Sequence, residues 1–532
     1  MKKSLLFSLL LGFSAFNAAT AQEMNMSHIC GTHDQNSLTD RITFNRELAA
    51  KGLLAEENRG AKKYIPVKFN IIAKADKSGR ISEAKVLENL AQMNKDYADQ
   101  DIVFYLAKFP TGEYFNYMDN DNAYTNQSNA LGEGALQVQF NKNKNAINFY
   151  LAKDTPSPGS QLGGTTLGYF SPTKDWLVIK NDQVNSTSGT ISHEVGHFFS
   201  LPHPFKGWDQ QTCKDIYPME WAAGTEFKVT SSIAPDGFSQ VENADGSNCK
   251  TAADKFCDTP ADYNFGFDWN GCTPFTKKIK GPGANDTYVN PEEKLFMGYF
   301  IGCADYFFSA EQKVAITNDY LSPKRLYIRP NYTPTLELVT AQASLTYPIQ
   351  SQAVAYNKVD FEWSDVPGAT RYLLEIDVTP NFSSNPTRIV TSTSSASLTT
   401  LLPSKNYNWR VVPFNENGTE LNIATVLKEK FKTTAFGVNT QDLSDVAVWN
   451  VSPNPVSNGN TLFVDIEVAK PFKAELSLLN AIGQTVQTIQ NQDFTQGGNR
   501  VEFSTQNIPA GVYSILLKAE GKTMNKKVVV IK

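Results

Sequence analysis

Three of the chain's five histidines stand in one short window, His193-Glu-Val-Gly-His197-Phe-Phe-Ser-Leu-Pro-His203. Residues four apart on an α-helix lie about 40° apart around its axis, so His193 and His197 project from one face and can grip one metal ion. Pro202 ends the helix, which lets the chain turn back and bring His203 to the same ion. Three imidazoles leave a fourth position open, as a catalytic rather than a structural zinc requires. Glu194, beside the first ligand, is placed to deprotonate a zinc-bound water whose pKa falls towards ~7. The window therefore predicts metal-assisted hydrolysis with one catalytic Zn2+. The plain alternative is a helix with two solvated histidines, and a third His at this offset speaks against it. A downstream carboxylate as third ligand, Glu220 or Glu242, is a further alternative that His203 makes unnecessary.

A motif helix needs a scaffold, and the preceding sequence supplies one. The run from Tyr64 to Ala73 alternates in its latter half as a strand does. Ser82 to Tyr97 has helical spacing, with Ile81, Val86, Leu87, Leu90 and Met93 near one face and Ser82 as cap. Residues 102–107, 146–152, 167–170 and 176–179 are strand-like. Strands interleaved with helices predict an α/β unit with a mixed sheet over residues 61–325. Pro323 to Pro334 reads as a linker. Beyond it, residues 335–435 and 450–532 carry short alternating runs separated by turn residues, predicting two small all-β sandwiches. The expected fold is thus multidomain.

At the N-terminus, Lys2 and Lys3 precede an apolar run and Ala19-Thr20-Ala21, which predicts a signal peptide over 1–21. Nothing later reads as a transmembrane helix. Residues 22–60 are polar and read as a propeptide. Export permits disulfides, and five of six cysteines lie between Cys213 and Cys303; the sequence leaves their pairing open. With a net charge of −5 and no basic run, a nucleic-acid partner is not expected.

The pattern His193-Glu-x-x-His197-x-x-x-x-x-His203 resembles that of the metzincins, and Gly189 to Phe205 looks like their pappalysin branch. Cys257-Asp-Thr-Pro260 and Leu295-Phe-Met297-Gly-Tyr299 are similar to two further segments of that branch. The resemblance covers roughly residues 60–320 and implies a zinc endopeptidase acting on protein or peptide substrates. Met297 would floor the metal without binding it. Tyr299 would help stabilise the oxyanion. Residues 162–169 would be the edge strand along which a substrate pairs. Asp254, Asp258 and Thr259 could offer oxygens to a structural Ca2+, a solvated loop being the alternative. The family usually has glycine where this chain has Ser200. A non-glycine residue in the left-handed region costs about 1–2 kcal/mol, which leaves the turn's geometry open.

Cys30-Gly31-Thr32 is similar to a propeptide element whose thiolate blocks the metal, so a latent zymogen is expected, opened by cleavage near Arg59, Lys62 or Lys63. A disulfide through Cys30 is the rival. Residues 335–435 look like a fibronectin type III module. Ser452-Pro-Asn-Pro455, Ala481-Ile-Gly-Gln484, Pro509-Ala-Gly-Val-Tyr513 and the final Lys526 to Lys532 resemble the sorting domain of type IX secretion, which implies that machinery as partner and passage through the periplasm and across the outer membrane of a Gram-negative bacterium. The protein would be secreted or surface-attached. A surface adhesion protein with a degenerate protease unit is the competing reading.

Overall fold

The computed structural model describes residues 28–32, 34–56, 61–127, 129–155, 165–283, 285–435, 446–519 and 522–532. The proposed signal peptide and Arg59 lie outside these.

A seven-stranded sheet anchors the first half. Its strands are β1 (His28–Cys30), β2 (Lys63–Ala73), β3 (Ile102–Leu106), β4 (Phe115–Asp119), β5 (Ile147–Ala152), β6 (Thr165–Ser171) and β7 (Trp176–Lys180). The order is β1-β6-β7-β5-β2-β3, with β4 continuing beside β2 where β3 stops. All pairings are parallel except β6 with β7. β2 is buried along most of its length, as a strand covered on both faces must be.

Alternation along the strands feeds two cores. Phe149, Leu151, Leu177 and Ile179 face one; Tyr150, Ala152, Trp176 and Val178 face the other. The first core holds α1 (Gln35–Ala50), α2 (Glu83–Asp96) and the motif helix. The second is covered by α3 (Asp121–Thr125) and α4 (Ala130–Lys142). Ser82 caps α2 by accepting from the Ala84 N–H, and Val86, Leu87, Leu90 and Met93 are buried, as the spacing predicts. The motif helix, α5 (Thr190–Phe198), packs on β6, β7 and α2.

Downstream come α6 (Cys213–Ile216), α7 (Pro218–Ala223), a small ribbon of β8 (Phe227–Lys228) and β9 (Ile279–Lys280), and α8 (Ala310–Leu321). This part is irregular. Its core is aromatic, with Phe205, Trp208, Trp221, Tyr263, Phe265 and Phe300 buried together. Disulfides Cys249–Cys257 and Cys272–Cys303 staple it, leaving Cys30 and Cys213 as free thiols.

Two expectations need correction. The segment 22–60 reads as a propeptide rather than a core, yet within it α1 is a four-turn helix whose Leu38 and Ile42 lie in the first core. The prolines from 323 do not open a linker at once either. Pro323–Ile328 is a 3-10 helix whose Arg325 and Ile328 are fully buried, so the core runs past residue 325.

The next module pairs a sheet of Leu345–Tyr347, Val359–Trp363 and Ser395–Leu398 with a five-stranded sheet built around Asn406–Phe414. Its Leu373, Val412, Phe414 and Ile423 join the first core, and Ser82 Oγ donates to Glu375 at 2.8 Å. The sandwich is therefore docked on the α/β unit. A last sandwich, from Val446 to Ile531, has three- and five-stranded sheets and its own core.

Candidate metal centre

α5 brings His193 and His197 to one face, and the turn after it returns His203. The Nε2 atoms of His193 and His197 are 3.1 Å apart, those of His197 and His203 3.1 Å, and those of His203 and His193 3.3 Å. Each Nδ1 already has an acceptor. Those of His193 and His197 meet the carbonyl oxygens of Phe296 and Leu201, both at 2.6 Å, and that of His203 meets Asp209 Oδ1 at 2.5 Å. With the proton on Nδ1, three Nε2 lone pairs converge with no hydrogen between them. Such a cluster is repulsive by itself and satisfied by one cation. The N–N spacings fit Zn–N bonds of about 2.0–2.1 Å in a tetrahedron. Burial and the neighbouring rings push the His193 pKa down to about 3 and that of His197 well below its ordinary value, so both are neutral, as ligands must be.

The fourth corner faces Cys30. Its Sγ and the three imidazole nitrogens all lie within 4.8 Å of one another. Burial, then Glu194, raise the thiol well above its usual pKa, and a dication would reverse that and favour thiolate. β1 puts Cys30 there by pairing with the far edge of β6, through Ile29↔Thr166 and Gly31 N to Gly168 O at 2.8 Å. The edge expected to receive substrate is thus covered by the chain's own N-terminal segment; residues 162–164 of that edge lie outside the described residues.

Glu194 is fully buried. Oε2 accepts from Thr32 Oγ1 at 3.1 Å, and Oε1 has no hydrogen-bond partner. Burial pushes its pKa up to about 7. Tyr299 lies edge-on to His203 with ring centres 4.9 Å apart, and its hydroxyl accepts from the Cys30 N–H at 3.1 Å. Met297 is fully buried beneath α5, where a Cβ on Gly196 would run into its sulfur. That close approach is why residue 196 is glycine.

Ser200 does sit in the left-handed region, with φ +73°. Its Oγ donates to Asp319 Oδ1 at 3.0 Å, and Arg325 donates to the Phe198 carbonyl. Asp319 is fully buried and also takes Arg41 Nε at 2.7 Å, Asn45 Nδ2 at 3.0 Å and Arg325 Nε at 2.7 Å. Burial works against its charge, but Arg325 and Arg41 outweigh that and hold the carboxyl below its usual range. The turn that delivers His203 is therefore pinned by a buried polar network, which compensates for the missing glycine.

The three residues considered for calcium do not all meet. Thr259 Oγ1 donates to Asp254, which is fully buried. Asp258 instead accepts from Ser309 Oγ and the Glu311 N–H at the start of α8. The carboxylate that neighbours Asp254 is Glu242, buried and with Oε2 unpartnered; burial, reinforced by Asp254, pushes its pKa up to about 9. Among the described residues neither Glu242 nor Glu220 belongs to the histidine cluster. Sequence reasoning missed Asp209, Thr32 and Asp319. Only Asp209 left a signal, a carboxylate six residues beyond the last ligand and suited to orient it.

Two curated relatives are both named "Extracellular metalloprotease". That of Verticillium alfalfae is 27% identical over 205 residues, covering 35% of this chain and 68% of the relative. That of Colletotrichum graminicola is 29% identical over 221 residues, covering 39% and 73%. A solved structure, promirolysin of Tannerella forsythia, aligns over 57% of this chain and 97% of its own at 16% identity, with a TM-score of 0.35. No helix among the described residues is long and apolar enough to cross a membrane. Residues 450–532 match the family described as a secretion system C-terminal sorting domain, so the last sandwich is a type IX sorting domain and the chain is exported across the outer membrane of a Gram-negative bacterium.

Proposed function

We propose that the chain is a secreted zinc endopeptidase of the pappalysin-like metzincin type, made latent. One observation carries the reading: three Nε2 lone pairs converge at 3.1–3.3 Å beside a buried, half-unpartnered Glu194. His193, His197 and His203 would hold the ion, and zinc bound there supplies Lewis acidity toward a water and a peptide carbonyl. Glu194 would take the proton of the attacking water and return it to the leaving amine. Asp209 fixes the His203 tautomer, while Met297 supports α5 from below. Once Cys30 leaves, the Tyr299 hydroxyl is free to donate to the oxyanion. Substrate pairs with β6 where β1 now lies.

Latency follows from the same contacts. Cys30 faces the open ligand position, Thr32 occupies Glu194, and the Cys30 N–H occupies Tyr299. The open ligand position, Glu194 Oε2 and the Tyr299 hydroxyl are all met from Cys30 and Thr32. Glu242, Asp254 and Thr259 are proposed as a separate structural Ca2+ site.

The test is peptide-library cleavage by the activated protein, beside Glu194→Ala and a zinc chelator. Cleavage abolished in both controls is expected. A folded, zinc-loaded protein that cleaves nothing would sink the reading and favour adhesion by a degenerate unit.

A further inference from the structure

The latency contacts all lie at the metal, yet the N-terminal segment touches the body at a second place. α1 presents Leu38, Arg41, Ile42, Asn45 and Arg46 at the spacing of one helical face. Leu38 and Ile42 are buried in the first core. Arg41 and Asn45 both donate to Asp319 Oδ1, at 2.7 and 3.0 Å. Arg46 donates to the Lys255 carbonyl at 3.0 Å, with its guanidinium 5.1 Å from the Phe256 ring centre. None of these five residues touches a metal ligand or Cys30, although at the start of the helix Gln35 Oε1 accepts from the His203 N–H at 3.1 Å.

Asp319 is also held from outside the helix. Arg325 Nε donates to its Oδ2 and Ser200 Oγ to its Oδ1. Arg325 is itself fully buried and tied to Asp175 at 2.7 Å. The carboxylate thus has partners in the body, and its Oδ1 also accepts from two donors of α1. A preformed charged acceptor between apolar walls is what lets a helix dock at low ordering cost.

We propose that this surface is a binding site for an amphipathic helix carrying Arg and Asn one turn apart between aliphatic anchors, and that its occupant is the chain's own α1. It is a second hold on the N-terminal segment, made by residues other than Cys30 and the metal ligands. The inference extends the latency reading: cutting the chain between Lys51 and Lys63 does not free the segment, and Cys30 is withdrawn only when α1 also leaves.

The experiment uses the full-length chain carrying Glu194→Ala, nicked between Lys51 and Lys63 and followed by gel filtration and mass spectrometry. The N-terminal fragment is expected to co-elute with the body, to do so equally after zinc is stripped with a chelator, and again in a Cys30→Ser background. Arg41→Ala with Asn45→Ala should weaken retention on the order of 30-fold or more, from the 2 kcal/mol or more lost when one side of a buried charge pair is cut. Both substitutions lie on the fragment, so the body's fold is not at stake. Loss of the fragment on zinc removal or with Cys30→Ser overturns the proposal, as does undiminished retention of the double variant. A nicked chain with Glu194 intact that cleaves peptides while still carrying the fragment refutes the latency reading and overturns the coupling of Cys30 withdrawal to the departure of α1, while the retained fragment still bears out the helix site.

Discussion

Replacing Ser200 separates two opposing contributions in the turn that delivers His203. Its φ of +73° disfavours any residue with a Cβ, by about 1–2 kcal/mol. Its hydroxyl donates to the buried Asp319 carboxylate at 3.0 Å, a bond to a charged group worth about 1.5–3 kcal/mol. Ser200→Ala keeps the strained backbone and loses the bond, so it should destabilise by the full 1.5–3 kcal/mol or so. Ser200→Gly loses the same bond but relieves the strain, less about 0.5–1 kcal/mol for glycine's greater freedom when unfolded. Alanine should therefore be worse than glycine by about 1 kcal/mol. Asp319 is not the place to test this, because removing it also takes one of two carboxylate partners from the buried Arg325 and the acceptor of Arg41 and Asn45.

Scanning calorimetry of the full-length chain is the assay. The transition that rises on zinc addition reports the catalytic unit. At about 2–4 °C per kcal/mol for a unit of this size, Ser200→Ala should melt roughly 2–4 °C below Ser200→Gly, with both below the parent. Alanine equal to the parent would show the hydrogen bond to be idle. Glycine melting below alanine would mean the backbone is not strained, and the account of why serine is tolerated would fall.

Three other outcomes are expected. Asp209→Asn removes the charged acceptor at His203 Nδ1 and should weaken zinc binding on the order of 10–100-fold in chelator competition, with His193 and His197 still held by backbone carbonyls. Cys30→Ser should let the uncut chain hydrolyse peptide slowly, because Thr32 and α1 still hold the segment; complete silence at long times would argue against thiolate blocking. Millimolar Ca2+ should raise the melting temperature of the catalytic unit, and Glu242→Gln should abolish that rise; an unchanged melting temperature in the parent would dismiss the calcium site.

How much of this was legible depended on whether a residue's neighbours lay close in sequence. The ligand set and Glu194 could be read because helix geometry alone places His193 beside His197. α2 was readable because its apolar face is continuous and Ser82 caps it. α1 was not, for a physical reason: only Leu38 and Ile42 mark its buried side, and its other anchors are polar residues that look solvent-facing. What makes that face buried is a carboxylate 278 residues further along the chain. The same distance hid Asp319 behind Ser200. In isolation, serine at a left-handed position reads as a defect; beside a buried acceptor it becomes the residue that can reach it.

That coupling also bears on why the turn departs from glycine at all. A glycine at 200 would relieve the backbone but leave Asp319 Oδ1 with only Arg41 and Asn45 as donors, both from the segment that must leave. After their departure no protein donor to that oxygen would remain, while Arg325 serves Oδ2. With Ser200 in place, Oδ1 keeps a partner in both states. Serine therefore accepts a strain of about 1–2 kcal/mol in the turn and keeps a protein donor on that carboxylate in the activated enzyme, a bond to a charged group worth about 1.5–3 kcal/mol. The preference for serine over glycine should accordingly be smaller in the full-length chain than after α1 has been displaced.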